Sequence, residues 1–311
     1  MSERVVVGAA SGGPSGVCVV DKAAGPTSHD VVARARRALG TRRVGHAGTL
    51  DPDATGVLVL GVGPATRLLR YLTPLPKSYE GEVVLGTTTA TLDASGEVLA
   101  TYDMTGVTLQ EVRAAAAGLV GDLAQVPPMV SALRVGGRRL HDLARRGVEV
   151  DRAPRPVTVH RFDVLALSHH CDGVVNPVVR VRVDCSSGTY VRSLADDLGR
   201  ALGGGAHLRH LRRTAVGPFT AARARPVEDL RLLQPAEAVR HLCPVAVDDD
   251  VAALVATGTR LVRRGPVDFP GEGPWAVTSA VTGALLAVYE QAGARAHPTV
   301  VLVRPGAASP G

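Results

Sequence analysis

The stretch from Gly45 to Gly56, Gly-His-Ala-Gly-Thr-Leu-Asp-Pro-Asp-Ala-Thr-Gly, leaves the chain few conformations. Pro52 fixes its own backbone torsion and biases Asp51 away from helix, while Gly45, Gly48 and Gly56 permit tight turns or close approach of the backbone to a ligand. Val57 to Leu60 follows as a short apolar run and reads as a buried strand. Asp51 is therefore expected on a constrained loop at the mouth of a strand, a position suited to chemistry. An Asp-Pro turn taken alone is more often a turn or capping element, so its neighbours decide the reading.

The rest of the chain alternates strand and helix signals. Val17 to Val20 reads as a strand, and Thr27 or Ser28 can cap a helix through Val31, Val32, Ala35, Ala38 and Leu39 that Gly40 ends. Ala65 to Leu72 looks helical, and Glu80 to Gly86 with Val98 to Tyr102 looks like two strands around the turn Asp93 to Gly96. Thr108 and Glu111 have capping-box spacing and open an alanine-rich helix through Ala117. Val157 to Leu167 and Val178 to Cys185 read as strands, and Ser193 to Leu202 as a helix. The expected fold is α/β in the α+β sense, a mixed sheet with helices on it and without a regular βαβ rhythm. From about Pro226 the pattern changes. Two short helical patterns, Val227 to Leu233 and Ala236 to Leu242, lead into apolar runs at Trp275 to Ser279, Ala284 to Tyr289 and Thr299 to Val303, as in a small β-module. The expected division is a flexible leader at 1–16, a larger domain at 17–230, the β-module at 231–305 and a tail at 306–311.

Charge narrows the range of partners. The 35 Lys+Arg against 29 Asp+Glu give a net charge of +6, and Lys22 and Lys77 are the only lysines. Arginines cluster at Arg34, Arg36, Arg37, Arg42 and Arg43, at Arg138, Arg139, Arg145 and Arg146, and at Arg209, Arg212 and Arg213. A single such cluster is usually a solvated helix face; three beside loop-rich motifs suit a phosphate backbone better. Cys18, Cys171, Cys185 and Cys243 are dispersed without metal or disulfide spacing, so no metal site is expected and a reducing cytoplasm fits. No apolar run has the length of a membrane span.

Several chemistries have no signature in the chain: it lacks a phosphate-binding P-loop, a dinucleotide fingerprint, a nucleophile elbow and a His-Glu-x-x-His zinc motif. What remains is a constrained carboxylate with histidine, tyrosines and arginines. The run Gly45 to Pro52 with Ala54-Thr55-Gly56, preceded by Asp21-Lys22 and Gly25, resembles the signature of the bacterial TruB-type tRNA pseudouridine synthases. Further matches follow in order: Lys77-Ser78-Tyr79, Gln125 to Pro128 with Ser131-Ala132-Leu133, Arg155-Pro156-Val157, Cys185 to Arg192 with Asp196 to Gly199, Gly205 to Leu208, and Leu211-Arg212-Arg213. The resemblance covers residues 17 to 220. Val130, Arg134 and His141 depart from the family's usual residues, and the final segment resembles the PUA-like RNA-binding module of actinobacterial members.

The resemblance implies a cofactor-independent isomerase that forms pseudouridine in the T-loop of tRNA. Asp51 would be the nucleophile, Tyr79 would stack on the uracil, and Arg192 would pair with the Asp51 carboxylate. Tyr190 and Leu211 would line the uridine pocket, His46 would hold the opened T-loop, and Lys22 and Gly25 would be structural. Arg42, Arg43, Arg138, Arg145 and Arg212 would contact RNA phosphates.

The chemistry agrees with these roles. Breaking N1–C1′ and joining C5 to C1′ needs no redox step, and an ionised carboxylate can attack at C1′ or at C6 with a guanidinium keeping it charged. A tyrosine under a flipped base offsets roughly 1–3 kcal/mol of lost stacking. Each tyrosine alone would be read as a core residue. Arg192 alone would be read as a surface arginine at a helix start; if the strand before it continued, it would share a face with Tyr190. The expected partner is tRNA, acted on in the cytoplasm by a monomer with no obligatory protein partner. The alternatives are a non-catalytic tRNA-folding chaperone on the same scaffold and a guide-RNA-dependent synthase. The latter would be favoured by a basic tail and an N-terminal extension that are not seen. An aspartate-based hydrolase would need a second carboxylate or a metal cluster.

Overall fold

β-Branched runs pack well on a pleated surface, and here they form the middle of a mixed sheet. The structure is a computed structural model that describes residues 13–131, 134–135, 138–139, 150–169, 176–265 and 267–303. Its strands up to residue 220 are β1 (Gly16–Lys22), β2 (Val44–His46), β3 (Thr55–Val62), β4 (Lys77–Leu85), β5 (Thr87–Thr89), β6 (Val98–Thr101), β7 (Gly121–Gln125), β8 (Arg134–Val135), β9 (Arg138–Arg139), β10 (Arg155–Ser168), β11 (Val178–Cys185), β12 (Ala206–Val216) and β13 (Phe219–Thr220). Nine of them form one sheet in the order β1-β3-β12-β4-β11-β10-β7, with β2 on β3 and β13 on β12. β12 meets β3 in parallel through Arg212 opposite Thr55 and Arg213 opposite Gly56.

Side-chain alternation along β1 and β3 builds two cores. Cys18, Val20, Leu58, Leu60 and Val62 pack with Val31, Val32 and Ala35 of α1 (Ser28–Ala38). Val17, Val19, Val57 and Val59 face the other way, toward Val216 and Phe219 and toward Leu72 of α2 (Leu69–Leu72). The helices α3 (Leu109–Ala117) and α4 (Val191–Ala201) lie over the rest of the sheet, in a core with Val181, Val183, Leu194 and Leu198. Thr27 caps α1 in a box with Asp30, and Thr108 caps α3 in a box with Glu111.

A second sheet follows, in the order β14-β16-β17-β18-β15, from β14 (Cys243–Val247), β15 (Leu261–Val262), β16 (Trp275–Ser279), β17 (Leu285–Ala292) and β18 (Arg295–Val301). Phe269, Trp275 and Tyr289 are central to its core, with ring centroids 5.2 and 5.6 Å apart. It docks on the first part through Leu68 and Tyr71 against Val239, Leu242, Leu285 and Val288. There the Tyr71 hydroxyl donates to Glu290 at 2.7 Å.

Three expectations change. The segment 80–86 is not the partner strand of 98–102: β4 begins at Lys77 and lies between β11 and β12, β6 pairs with β5, and the Tyr102 N–H reaches the Gly86 carbonyl at 2.8 Å just beyond β4. Val227 to Leu233 forms no helix; it turns after Pro226, with the Asp229 N–H on the Pro226 carbonyl at 2.9 Å, and meets the free edge of β1 at Leu233, which exchanges both backbone hydrogen bonds with Val17 at 2.8 and 3.0 Å. β12 escapes sequence reading because histidine and arginine occupy positions that valine holds in its neighbours.

Gly56 is where β3 and β12 approach most tightly. Its φ is 99°, and a Cβ there would fall 2.2 Å from the Arg213 carbonyl oxygen. Gly56→Ala is expected to cost about 3 kcal/mol through strain and the forced separation of the strands. An unchanged urea midpoint would contradict this packing.

Candidate active site

Residues 48–54 form no strand, so their carbonyls need donors from elsewhere. Two buried cations and a hydroxyl provide them. Lys22, at the end of β1 and 1% exposed, donates from Nζ to the carbonyls of Ala23, Pro52 and Ala54 at 2.9, 2.7 and 2.7 Å. Arg213, equally buried in β12, donates from Nε to Val57 at 2.7 Å, from Nη2 to Gly48 at 3.1 Å and from Nη1 to Thr49 at 3.3 Å. Ser28, the first residue of α1, donates to the Leu50 carbonyl at 3.0 Å and accepts from its N–H at 2.9 Å. The Gly25 N–H also reaches Pro52 at 2.9 Å, and the Ala54 N–H closes the turn on the Asp51 carbonyl at 3.2 Å. The loop is held along nearly its whole length, which aims the Asp51 side chain.

That side chain meets Arg192, with Oδ2 3.0 Å from Nη2. Arg192 is the second residue of α4 and is buried; it also donates to the carbonyls of Thr91 at 2.9 Å and Val130 at 2.8 Å. Its Nη1 lies 3.4 Å from Asp93 Oδ2. Asp93 is fixed in turn by the hydroxyls of Thr91 and Ser95, both at 2.6 Å. One guanidinium thus sits between two carboxylates and two carbonyls. Desolvation raises the pKa of Asp51 above the ordinary carboxylate value, Arg192 opposes the rise, and Asp93 adds to it. Gln125 sets the start of α4: its amide donates to the Tyr190 carbonyl at 3.1 Å and accepts from the Tyr190 N–H at 2.7 Å.

A cleft of about 250 Å³ opens at Asp51, lined by Lys77, Tyr79, Tyr190, Leu211 and Arg213. A second lobe shares Asp51, Arg192 and Leu211 and continues past Asp93, Arg209 and His210. Tyr79 is buried in β4, which raises its pKa, and the nearby Arg213 opposes that rise. Tyr190 is half-buried, and desolvation raises its pKa. Leu211 reaches the cleft from an irregularity in β12, where the pairing with β4 shifts between Arg209 and Arg212 and His210 adopts a φ of 51°. Bulges and strained backbone of this kind concentrate beside functional sites. Glu82 steadies it by accepting from Arg209 at 2.7 Å and approaching His210 Nδ1 at 3.1 Å.

Asp51, Tyr79, Tyr190, Arg192 and Leu211 therefore converge on one cleft. His46 does not line it; it lies in β2 edge-to-face with His29 at 5.5 Å, and burial lowers its pKa. Arg42 and Arg43 are exposed just before β2. Arg212, expected on RNA phosphates, is instead engaged by Asp21 through two hydrogen bonds of 3.0 and 2.8 Å, linking β12 to β1 across β3. Arg138 and Arg145, with Arg134 and His141, have side chains outside the described residues. Arg192 does not share a strand face with Tyr190, because β11 ends at Cys185 and Tyr190 precedes α4. Sequence reasoning missed Asp93, Gln125, Lys77 and the clamping role of Arg213. One signal was available: the only two lysines of an arginine-rich chain both lie in matched motifs.

Lys77 is 5% exposed and donates to the carbonyls of Thr73 and Leu75 at 2.5 and 2.6 Å. Burial, reinforced by Arg213, lowers its pKa from 10.5 to about 8. Between these values the unfolded chain binds more protons than the folded one, so Lys77 makes stability rise with pH across that window. Lys77→Met should flatten this rise in urea midpoints taken across the window; an unaltered slope would contradict the assignment.

Comparison with known proteins agrees with this geometry. Residues 36–191 match the TruB family pseudouridylate synthase N-terminal domain, and residues 192–244 match the tRNA pseudouridylate synthase B C-terminal domain. The chain is 51% identical over 298 residues to tRNA pseudouridine synthase B of Nocardia farcinica, covering 93% of this chain and 94% of that one. It is 47% identical over 296 residues to the protein of that name from an Arthrobacter species, covering 92% and 96%. Among solved structures it resembles the archaeal box H/ACA sRNP Nop10-Cbf5 complex, with 25% identity, a TM-score of 0.69 and coverage of 94% of this chain and 87% of that chain. A Cbf5-Nop10-Gar1 complex gives 26%, 0.70, 93% and 85%. The ordered motifs, the mixed sheet and these matches agree: the chain belongs to the TruB family of pseudouridylate synthases.

Proposed function

We propose that this chain isomerises the T-loop uridine of tRNA, with Asp51 as the nucleophile. The observation that carries this reading is the Asp51 carboxylate, fixed by its loop at the floor of a nucleoside-sized cleft and 3.0 Å from the buried Arg192. Relatives 47–51% identical over nearly their whole length are named for tRNA, which favours tRNA over the RNA of guide-directed complexes. The second carboxylate at the site, Asp93, is held by Thr91, Ser95 and Arg192, an arrangement suited to orienting the guanidinium rather than to hydrolysis.

In this account the target nucleotide leaves the stack and its base enters the cleft against Tyr79, with Tyr190 and Leu211 bounding the pocket. Asp51 attacks in its ionised form. The N1–C1′ bond breaks, the base turns, C5 joins C1′, the bond that Asp51 formed to the nucleoside breaks to return its carboxylate, and the C5 hydrogen departs as a proton while N1 gains one. His46 supports the opened loop beside the cleft, and Arg42 and Arg43 meet phosphates. Residues 17–230 form the catalytic domain and 231–305 a PUA-like module that extends the RNA surface. The protein acts as a monomer in the cytoplasm, without a cofactor. Among the described residues, no helix is long and apolar enough to cross a membrane.

Tritium release from a tRNA transcript labelled at uracil C5 tests the reading. Release is expected from the wild-type transcript and not from one whose T-loop uridine is replaced; equal release from both would overturn the site assignment. Arg192→Lys keeps the charge and loses the fork that serves Asp51, Asp93 and two carbonyls. Its turnover should fall about 100-fold with tRNA affinity retained, and near-normal turnover would remove the ion pair from the mechanism.

A further inference from the structure

Three arginines line a cavity apart from the Asp51 cleft. It has a volume of about 240 Å³, is lined by Val19, Ala222, Arg223, Arg225, Arg231 and Leu233, and shares no lining residue with the cleft. The chain from Arg225 to Leu233 contributes one wall and is tied to the free edge of β1 at its two ends. The Arg225 N–H bonds the Val19 carbonyl at 3.0 Å, the Asp21 N–H bonds the Arg225 carbonyl at 2.8 Å, and Leu233 pairs with Val17. These bonds fix the backbone of Arg225 and place Arg231 two residues before the second tie. Val19 and Leu233 belong to the core on the sheet face opposite α1, whereas Ser28 of α1 holds the Asp51 loop.

No carboxylate lines this cavity. Arg223 is paired with Glu237. The side chains of Arg225 and Arg231 make no hydrogen bond or ion pair among the described residues, and both are exposed. Like charges around one concavity repel, and the apolar wall of Val19 and Leu233 weakens solvent screening. An anion accepting from two or three guanidiniums reverses the sign of that interaction, and the planar fork matches phosphate oxygens. We propose that this cavity is a binding site for a phosphate-bearing ligand, held by Arg225 and Arg231 with Arg223 at its edge. The phosphate can come from an RNA backbone or from a free pyrophosphate-like anion. The site is independent of the uridine chemistry at Asp51.

Calorimetric titration with sodium pyrophosphate at low ionic strength, beside tRNA binding measured across a salt series, tests the proposal. The proteins compared are the full chain, the double variant Arg225→Ala/Arg231→Ala, and Arg113→Ala as a control on the exposed face of α3. Arg225→Gln/Arg231→Gln replaces the alanine variant if the latter melts early. Pyrophosphate should bind the wild type and the control with one site and bind the double variant at least about tenfold more weakly. If RNA supplies the phosphate, the double variant also binds tRNA more weakly, and its salt slope drops by about 0.9 for each phosphate it no longer neutralises. Loss of pyrophosphate binding with unchanged tRNA binding assigns a free anion. Equal pyrophosphate binding by wild type and double variant, or no pyrophosphate binding by the wild type together with unchanged tRNA binding, would overturn the site.

Discussion

The site depends on carbonyl groups held by buried cations. Residues 48–54 lack a strand partner, yet Lys22, Arg213 and Ser28 satisfy the carbonyls of Gly48, Thr49, Leu50, Pro52 and Ala54. Hydrogen bonds to charged donors contribute about 1.5–3 kcal/mol each, and several converging on one short loop offset the cost of burying two cations. Burial lowers the pKa of Lys22, while Asp53 and Asp51 oppose that shift. The lysine that shapes the loop is thus also part of the electrostatic surroundings of the carboxylate it positions.

β12 connects the remaining parts. Its parallel contact with β3 brings Arg213 under the loop, its irregularity at Arg209 to Arg212 turns Leu211 into the cleft, and Arg212 reaches across to Asp21. The other half of the site comes from α4, whose first turn is set by the Gln125 amide on both backbone groups of Tyr190. Arg192 then joins the two halves, since it binds Asp51 on one side and Thr91, Asp93 and Val130 on the other. A rigid carboxylate and a rigid guanidinium require no rearrangement to face each other, which suits a reaction that depends on placing one nucleophile against one flipped base.

Local signals in the chain carried much of this arrangement. The Asp-Pro turn placed Asp51 on a loop before a buried strand, a cap at Thr27 or Ser28 and the Thr108 capping box started two helices where they occur, and Val178 to Cys185 is a strand with those bounds. The features that stayed hidden depend on distant partners. Arg213 is indistinguishable in sequence from its neighbour Arg212, yet one is buried under a loop and the other pairs with Asp21 at the surface. Asp93 reads as a turn residue and is one, and its second role appears only when α4 brings Arg192 beside it. Val227 to Leu233 has a helical pattern, but the chain turns after Pro226 and is tied to the edge of β1 at Arg225 before it and at Leu233.

The claim most exposed to test is that Arg213 positions Asp51 by holding loop carbonyls without touching the substrate base. The decisive measurement is the single-turnover rate of Arg213→Lys on tRNA, taken with its tRNA dissociation constant. The lysine keeps the charge and cannot reach Gly48, Thr49 and Val57 together. The account predicts a rate about 100-fold lower, as expected when a reacting group is displaced by about 1 Å, with affinity within about twofold. A rate close to wild type would show that the loop holds its shape without the guanidinium and would contradict the account.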